Sequence, residues 1–153
     1  NRVVTIIIGG TQDLTFPCYL GIETNISNVT LTTIDSEINF LKNPYNNYLL
    51  KIFERKKIFN YVNLGNQIYL CDPESMKYLE SKTYDAIRLG IIRQKIDYIE
   101  PILRDSDIVS FDIGAIKQSE APAKKYGSPN GFTSEEACLV ARYAGLSNKV
   151  EFF

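Results

Sequence analysis

The chain has 153 residues, of which 44% are hydrophobic and 23% charged, and its formal net charge is −1. That composition is typical of a soluble globular protein and the length fits one α/β-sized domain, so residues 1–153 are expected to form a single unit. The near-zero charge gives no general attraction to nucleic acid or anionic lipid, and no apolar run reaches bilayer length, so neither a nucleic-acid nor a membrane partner is expected.

Residues 3–8 form a β-branched run ending at Gly9-Gly10, which reads as a buried strand. Thr15-Phe16-Pro17 places a cap and an early proline at the start of a helix expected to run to about Asn25. Residues 29–34 read as a second buried strand that stops at Asp35. Residues 45–55 carry Tyr45, Leu49, Ile52 and Phe53 at helical spacing. Residues 59–64 are strand-like, Gly65 is a breaker, and residues 68–71 read as a continuation of that strand. Asp72-Pro73 supplies an N-cap and a first-turn proline for the next helix. A short strand is expected over 85–89, then a helical stretch from Ile91 interrupted near Pro101. Residues 107–112 form a third buried strand that ends in a carboxylate.

The long loop 113–132 contains Pro122, Gly127, Pro129 and Gly131, and loops of that length in compact domains are often functional. Thr133-Ser134-Glu135-Glu136 is a capping box that opens a last helix closed by Gly145, with Cys138 read as core. Strands alternating with helices imply an α/β fold with three αβα layers and a mainly parallel sheet. Ligands of such sheets bind beyond the carboxyl ends of the strands. Three polar loops, 9–13, 35–39 and 112–122, follow strands and would converge there. The three cysteines, Cys18, Cys71 and Cys138, are odd in number and widely spaced, which fits a reducing, cytoplasmic setting. No basic stretch leads into a cleavage site of secretory type.

Four segments, in order, resemble the ureohydrolase family of arginase, agmatinase and formiminoglutamase. Gly9-Gly10-Thr11-Gln12-Asp13 is similar to the family's Gly-Gly-Asp-His-Ser. Asp35-Ser36-Glu37-Ile38-Asn39 stands where the family has Asp-Ala-His-x-Asp. Ser110-Phe111-Asp112-Ile113-Gly114 stands for Ser-x-Asp-x-Asp, with Ala121-Pro122 following. Gly131-Phe132-Thr133-x-x-Glu136 resembles Gly-Leu-Thr-x-x-Glu. The flavour is closest to the formiminoglutamase-like branch. The resemblance implies an arginase-like fold, a domain longer than this chain, and frequent assembly into rings, hence a homo-oligomer. The non-methionine start and the strand-like residues 150–153 likewise read as a piece of a longer domain.

In that family two manganese ions are held by histidine and aspartate, and this chain has no histidine. Carried over position by position, the ligands become Gln12, Asp35, Glu37, Asn39, Asp112 and Gly114, and a further aspartate becomes Lys117. Amide oxygens are weak donors, glycine offers none, and a lysine ammonium repels cations. The implied reaction, attack by a metal-activated hydroxide on a guanidinium or formimino carbon, loses its nucleophile with those ligands.

Two outcomes remain: Asp35 and Asp112 end strands or cap turns, or Asp35, Glu37 and Asp112 form a remnant all-oxygen site for one Mg²⁺ or Ca²⁺. Lys117 is expected to neutralise them in place of the metals. Glu136 resembles the family's substrate-facing carboxylate and is also the capping-box glutamate. The leading expectation is a protein without the dinuclear manganese site, acting as a binding or structural protein for a small nitrogen-rich ligand. The other is an active manganese-dependent hydrolase cleaving a C–N bond of formiminoglutamate or a guanidino compound.

Overall fold

The computed structural model describes residues 3–42, 44–55, 57–125 and 127–153. The β-branched and aromatic runs form four parallel strands: β1 (Val29–Ile34), β2 (Ile58–Asn66), β3 (Asp85–Arg88) and β4 (Ile108–Phe111), in the order β3-β2-β1-β4. Every residue of β1 is buried, as expected for a central strand covered on both faces. Beyond β4, Phe152 bridges Ile108 on one side and Thr5 on the other, so two further short extended segments continue the parallel order.

Among the described residues, six α-helices cover the sheet. One face carries α1 (Thr15–Glu23), α2 (Tyr48–Glu54) and α3 (Pro73–Ser81), whose Tyr19, Ile22, Ile52, Phe53 and Leu79 pack on Leu31 and Tyr61. Edge-to-face rings strengthen this layer: Phe53 meets Phe40 and Tyr61 with centroids 5.6 and 5.3 Å apart. The other face carries α4 (Leu89–Gln94), α5 (Glu100–Arg104) and α6 (Ser134–Gly145), packing Ile92, Leu103, Val140 and Ala144 on Ile34, Val62 and Val109. This is the three-layer αβα arrangement expected.

Local chemistry explains the element ends. The Asp72 carboxylate caps α3 by accepting from Ser75 N, with Pro73 in the first turn. Thr133 and Glu136 form the full capping box of α6. Several expectations are corrected. Residues 3–8 lie at the sheet edge rather than in the core, with Val3 81% and Ile8 94% exposed, because only one side of the segment is paired. β2 runs through Gly65, which takes φ +93° and shifts the register against β3. Residues 68–71 do not continue it: Ile68–Leu70 is a 3-10 turn. The helical stretch after β3 breaks at Lys95, whereas Pro101 sits in the first turn of α5, where its missing N–H costs nothing. Gly145 is the last residue of α6 and Leu146 its cap. Cys138 is exposed.

Candidate functional site

Because β1 and β4 are adjacent and parallel, their carboxyl ends deliver Asp35 and Asp112 to the same edge. The ladder ties both down: Asp112 N donates to Ile34 O at 2.9 Å and Asp35 N to Leu64 O at 3.1 Å. Each carboxylate also turns its own loop. Asp35 Oδ1 accepts from Glu37 N at 3.0 Å, and Asp112 Oδ1 accepts from Gly114 N. The buried Ser36 hydroxyl donates to Gly114 O at 3.2 Å and locks the two loops together.

The third polar loop joins them. Tyr48 of α2 donates its hydroxyl to Gln12 Oε1 at 2.9 Å, and Thr15 and Ser110 share a 2.8 Å hydroxyl bond that fixes α1 against β4. Gln12 Nε2 is buried with no hydrogen-bond partner. Glu37 and Asn39 point outward, and the Asn39 amide donates to Glu37 Oε2 at 2.7 Å.

Lys124 is the cation of the site. Its Nζ lies 2.9 Å from Asp112 Oδ1, and both side chains are only about a quarter exposed, at 27% and 28%. The expectation for Lys117 is corrected: its ammonium pairs with Glu120, three residues on, and Lys117 together with Ser134 holds the Glu120 carboxyl down at about 2. Gly131 is pressed against that stretch so closely that a Cβ there would stand 2.7 Å from Ala115 O. The loop 113–132 thereby closes on itself through the Ile116–Phe132 bridge and brings Lys124 back over Gly114. Lys124 was missed from sequence because this return is set by tertiary packing and not by spacing.

Burial pushes the Asp35 carboxyl up to about 7, with the charges of Asp112 and Glu37 adding to it, while the Glu37 N–H bond and Lys124 oppose the rise. Burial likewise raises the Tyr48 hydroxyl, helped by nearby Tyr61, Asp35 and Asp112, so it stays a neutral donor. Glu136 stands apart from this cluster. Its Oε2 accepts from Thr133 N at 2.8 Å and its Oε1 pairs with Arg93 at 3.2 Å, while Arg93 also donates to Asn130 Oδ1 and Gly131 O.

Two clefts of about 540 Å³ each flank the cluster, and Lys124 lines both. One runs between Gly9, Gly10, Gln12 and the end of β4; the other between Ser36, Glu37, Tyr69 and Ser128. Among the described residues, no three His, Cys, Asp or Glu side chains come together as a metal-binding group. Among the same residues, no helix is long and apolar enough to cross a membrane.

No protein-family model and no curated protein sequence matches the chain. Solved structures do. This is an α/β fold of the ureohydrolase, arginase-like type. More particularly, that fold is similar to the fold of formiminoglutamases. The chain superposes on Trypanosoma cruzi formiminoglutamase with Mn²⁺ at TM-score 0.86 and 18% identity, covering 96% of itself and 54% of that chain. For the Bacillus subtilis formimidoylglutamase the values are 0.83, 19%, 97% and 51%. For the proclavaminate amidino hydrolase of Streptomyces clavuligerus they are 0.80, 19%, 96% and 54%. The chain thus spans about half the length of these proteins.

Proposed function

We propose that this chain is a ureohydrolase-fold protein without a two-manganese centre, which binds a small nitrogen-rich molecule rather than hydrolysing it. The observation that carries this reading is the Lys124 ammonium seated on Asp112, over a glycine where the family motif has an aspartate. The donor set does not fit two manganese ions. Asp35 and Asp112 offer carboxylates, Gln12 an amide already engaged by Tyr48, Glu37 and Asn39 are turned to each other, and Gly114 offers nothing. A divalent ion about 4 Å from a lysine ammonium meets a repulsion of roughly 8 kcal/mol at an effective dielectric constant of about 20. Two carboxylates, one of them already paired, do not offset that for two ions.

What remains suits recognition of a polar nitrogen compound. Asp35, Asp112 and Glu37 are acceptors, and Gln12 Nε2 is a buried donor without a partner, at the rim of the first cleft. Glu136, the family's substrate-facing position, is held by Arg93, so a ligand reaching it must displace that guanidinium. Three free thiols, at Cys18, Cys71 and Cys138, support a reducing, cytoplasmic setting. Assembly into a homo-oligomer rests on the family resemblance alone.

A second reading is favoured by one observation, the close approach of Asp35 and Asp112 at adjacent strand ends. On that reading the pair, with Glu37, holds one Mg²⁺ or Ca²⁺, or part of a working hydrolase site. The deciding experiment adds formiminoglutamate, arginine or agmatine to the intact protein with Mn²⁺ present, and follows both thermal stability and product. Stabilisation with no formamide or urea released supports the binding reading. Manganese-dependent product release overturns it.

A further inference from the structure

We propose that Lys124 is a resident cation: its ammonium takes the space and the charge-neutralising role that a divalent ion and its aspartate ligand would fill at the end of β4, and it thereby excludes divalent ions. The inference deepens the binding reading above and rests on it.

The geometry carries it in three parts. The first is exclusion. A Cβ at Gly114 would overlap Lys124 Nζ and stand 2.6 Å from its Cε and 2.8 Å from Asp112 Oδ1. An aspartate at 114 and the ammonium therefore cannot both be where they would be needed. The glycine and the lysine form a complementary pair: the missing side chain leaves the hole that the ammonium enters. Gly114 has no positive φ that would otherwise demand glycine, so the close approach is what its lack of a side chain serves.

The second part is partnering. Nζ donates to Asp112 Oδ1 at 2.9 Å, the same oxygen that accepts from Gly114 N, which uses that oxygen's lone pairs for protein donors. The third part is delivery. The Lys124 backbone is fixed from both sides, its N–H donating to Ala121 O at 3.2 Å and its C=O accepting from Gln118 Nε2 at 2.8 Å. Gln118 in turn ties its own N–H to Ser128 O at 2.8 Å. The loop that returns over the sheet edge therefore presents this lysine from a braced position. Lys124 lines both clefts, so a change at this residue is felt in each.

The test compares Mn²⁺ titrations, by calorimetry after chelator treatment, of the intact protein and three variants. Lys124→Gln removes the charge and shortens the side chain by one atom, which withdraws the group that fills the space over Gly114. Lys117→Gln removes an equal charge from the same loop, at the ion pair with Glu120. Gly114→Ala leaves Lys124 in the sequence but forces its ammonium from its place. Lys124→Gln is expected to bind Mn²⁺ at least about tenfold more tightly than the parent, with Lys117→Gln unchanged. Gly114→Ala is expected to lower the melting temperature in the parent and to lower it less in the Lys124→Gln background, because the overlap is relieved.

Equal Mn²⁺ affinity of Lys124→Gln and the parent, an equal gain in Lys117→Gln, or strictly additive melting shifts would each overturn the proposal. If Lys124→Gln does not fold, the Gly114→Ala protein decides the matter by the same titration: a gain in Mn²⁺ affinity supports the resident cation and no gain refutes it. Failure here with a parent that binds no manganese leaves the binding reading standing. A parent that already binds two ions tightly removes that reading itself.

Discussion

Replacing Asp35 by asparagine isolates the electrostatic load at the end of β1. Burial, then Asp112 and Glu37, raise this carboxyl from its ordinary 3.8 to about 7 in the folded protein. Between those values the folded chain holds a proton that the unfolded chain has released. The group therefore contributes stability that is fully present below about pH 4 and lost as the pH rises through about 7. Roughly three units at about 1.4 kcal/mol each set an upper bound of about 4 kcal/mol. Asp35 is mostly but not fully buried, so part of the load is screened by solvent and about 1–3 kcal/mol is the expected size. Asparagine does not titrate and its Oδ1 still accepts from Glu37 N. Urea unfolding of the two proteins from pH 4 to pH 8 gives the difference directly. The variant should gain about 1–3 kcal/mol on the parent across that range, most of it between pH 5 and 7. Stability curves that run parallel over the whole range would show that Asp35 is ionised at ordinary pH and that the burial argument fails.

Gly65→Ala tests the brace behind the loop 113–132. A Cβ there would overlap the Phe132 ring, 3.0 Å from Cζ, on a backbone at φ +93°. The strained φ and the overpacking together should cost about 2–5 kcal/mol, a melting shift of roughly 5–15 °C; a shift under about 2 °C would contradict the packing. Thiol labelling of the native protein should give one fast site, Cys138, and two slow ones, because burial pushes the Cys18 and Cys71 thiols up and Cys138 is exposed. Three equal rates would place the two slow cysteines wrongly.

The sequence made most of the fold legible where local chemistry and burial agree. Residues 29–34 are β-branched on both faces and sit at the centre of the sheet. Asp72-Pro73 and the Thr133–Glu136 box start helices through bonds made within four residues. Legibility fails where the environment comes from elsewhere in the chain. Residues 3–8 have the same composition as a buried strand, yet their neighbours leave them exposed at the edge. Cys138 sits among apolar helix residues but on the outward side of α6. At the site, the strand-end positions of Asp35 and Asp112 followed from parallel topology. Which lysine meets them did not: Lys117 and Lys124 belong to one loop, and only its closure through Ile116, Gly131 and Phe132 turns the second inward. Glu136 shows a related limit, since one residue matched both a capping box and a family substrate position, and the structure engages both its oxygens with Thr133 and Arg93.

The most direct measurement is a calorimetric titration of Mn²⁺ into the intact, chelator-treated parent protein. The side chains at Gln12, Asp35, Glu37, Asn39 and Asp112, with no side chain at Gly114 and the Lys124 ammonium on Asp112, predict at most one weakly bound ion per chain. Two tightly bound ions per chain would contradict the account and return the protein to the working hydrolases of this fold.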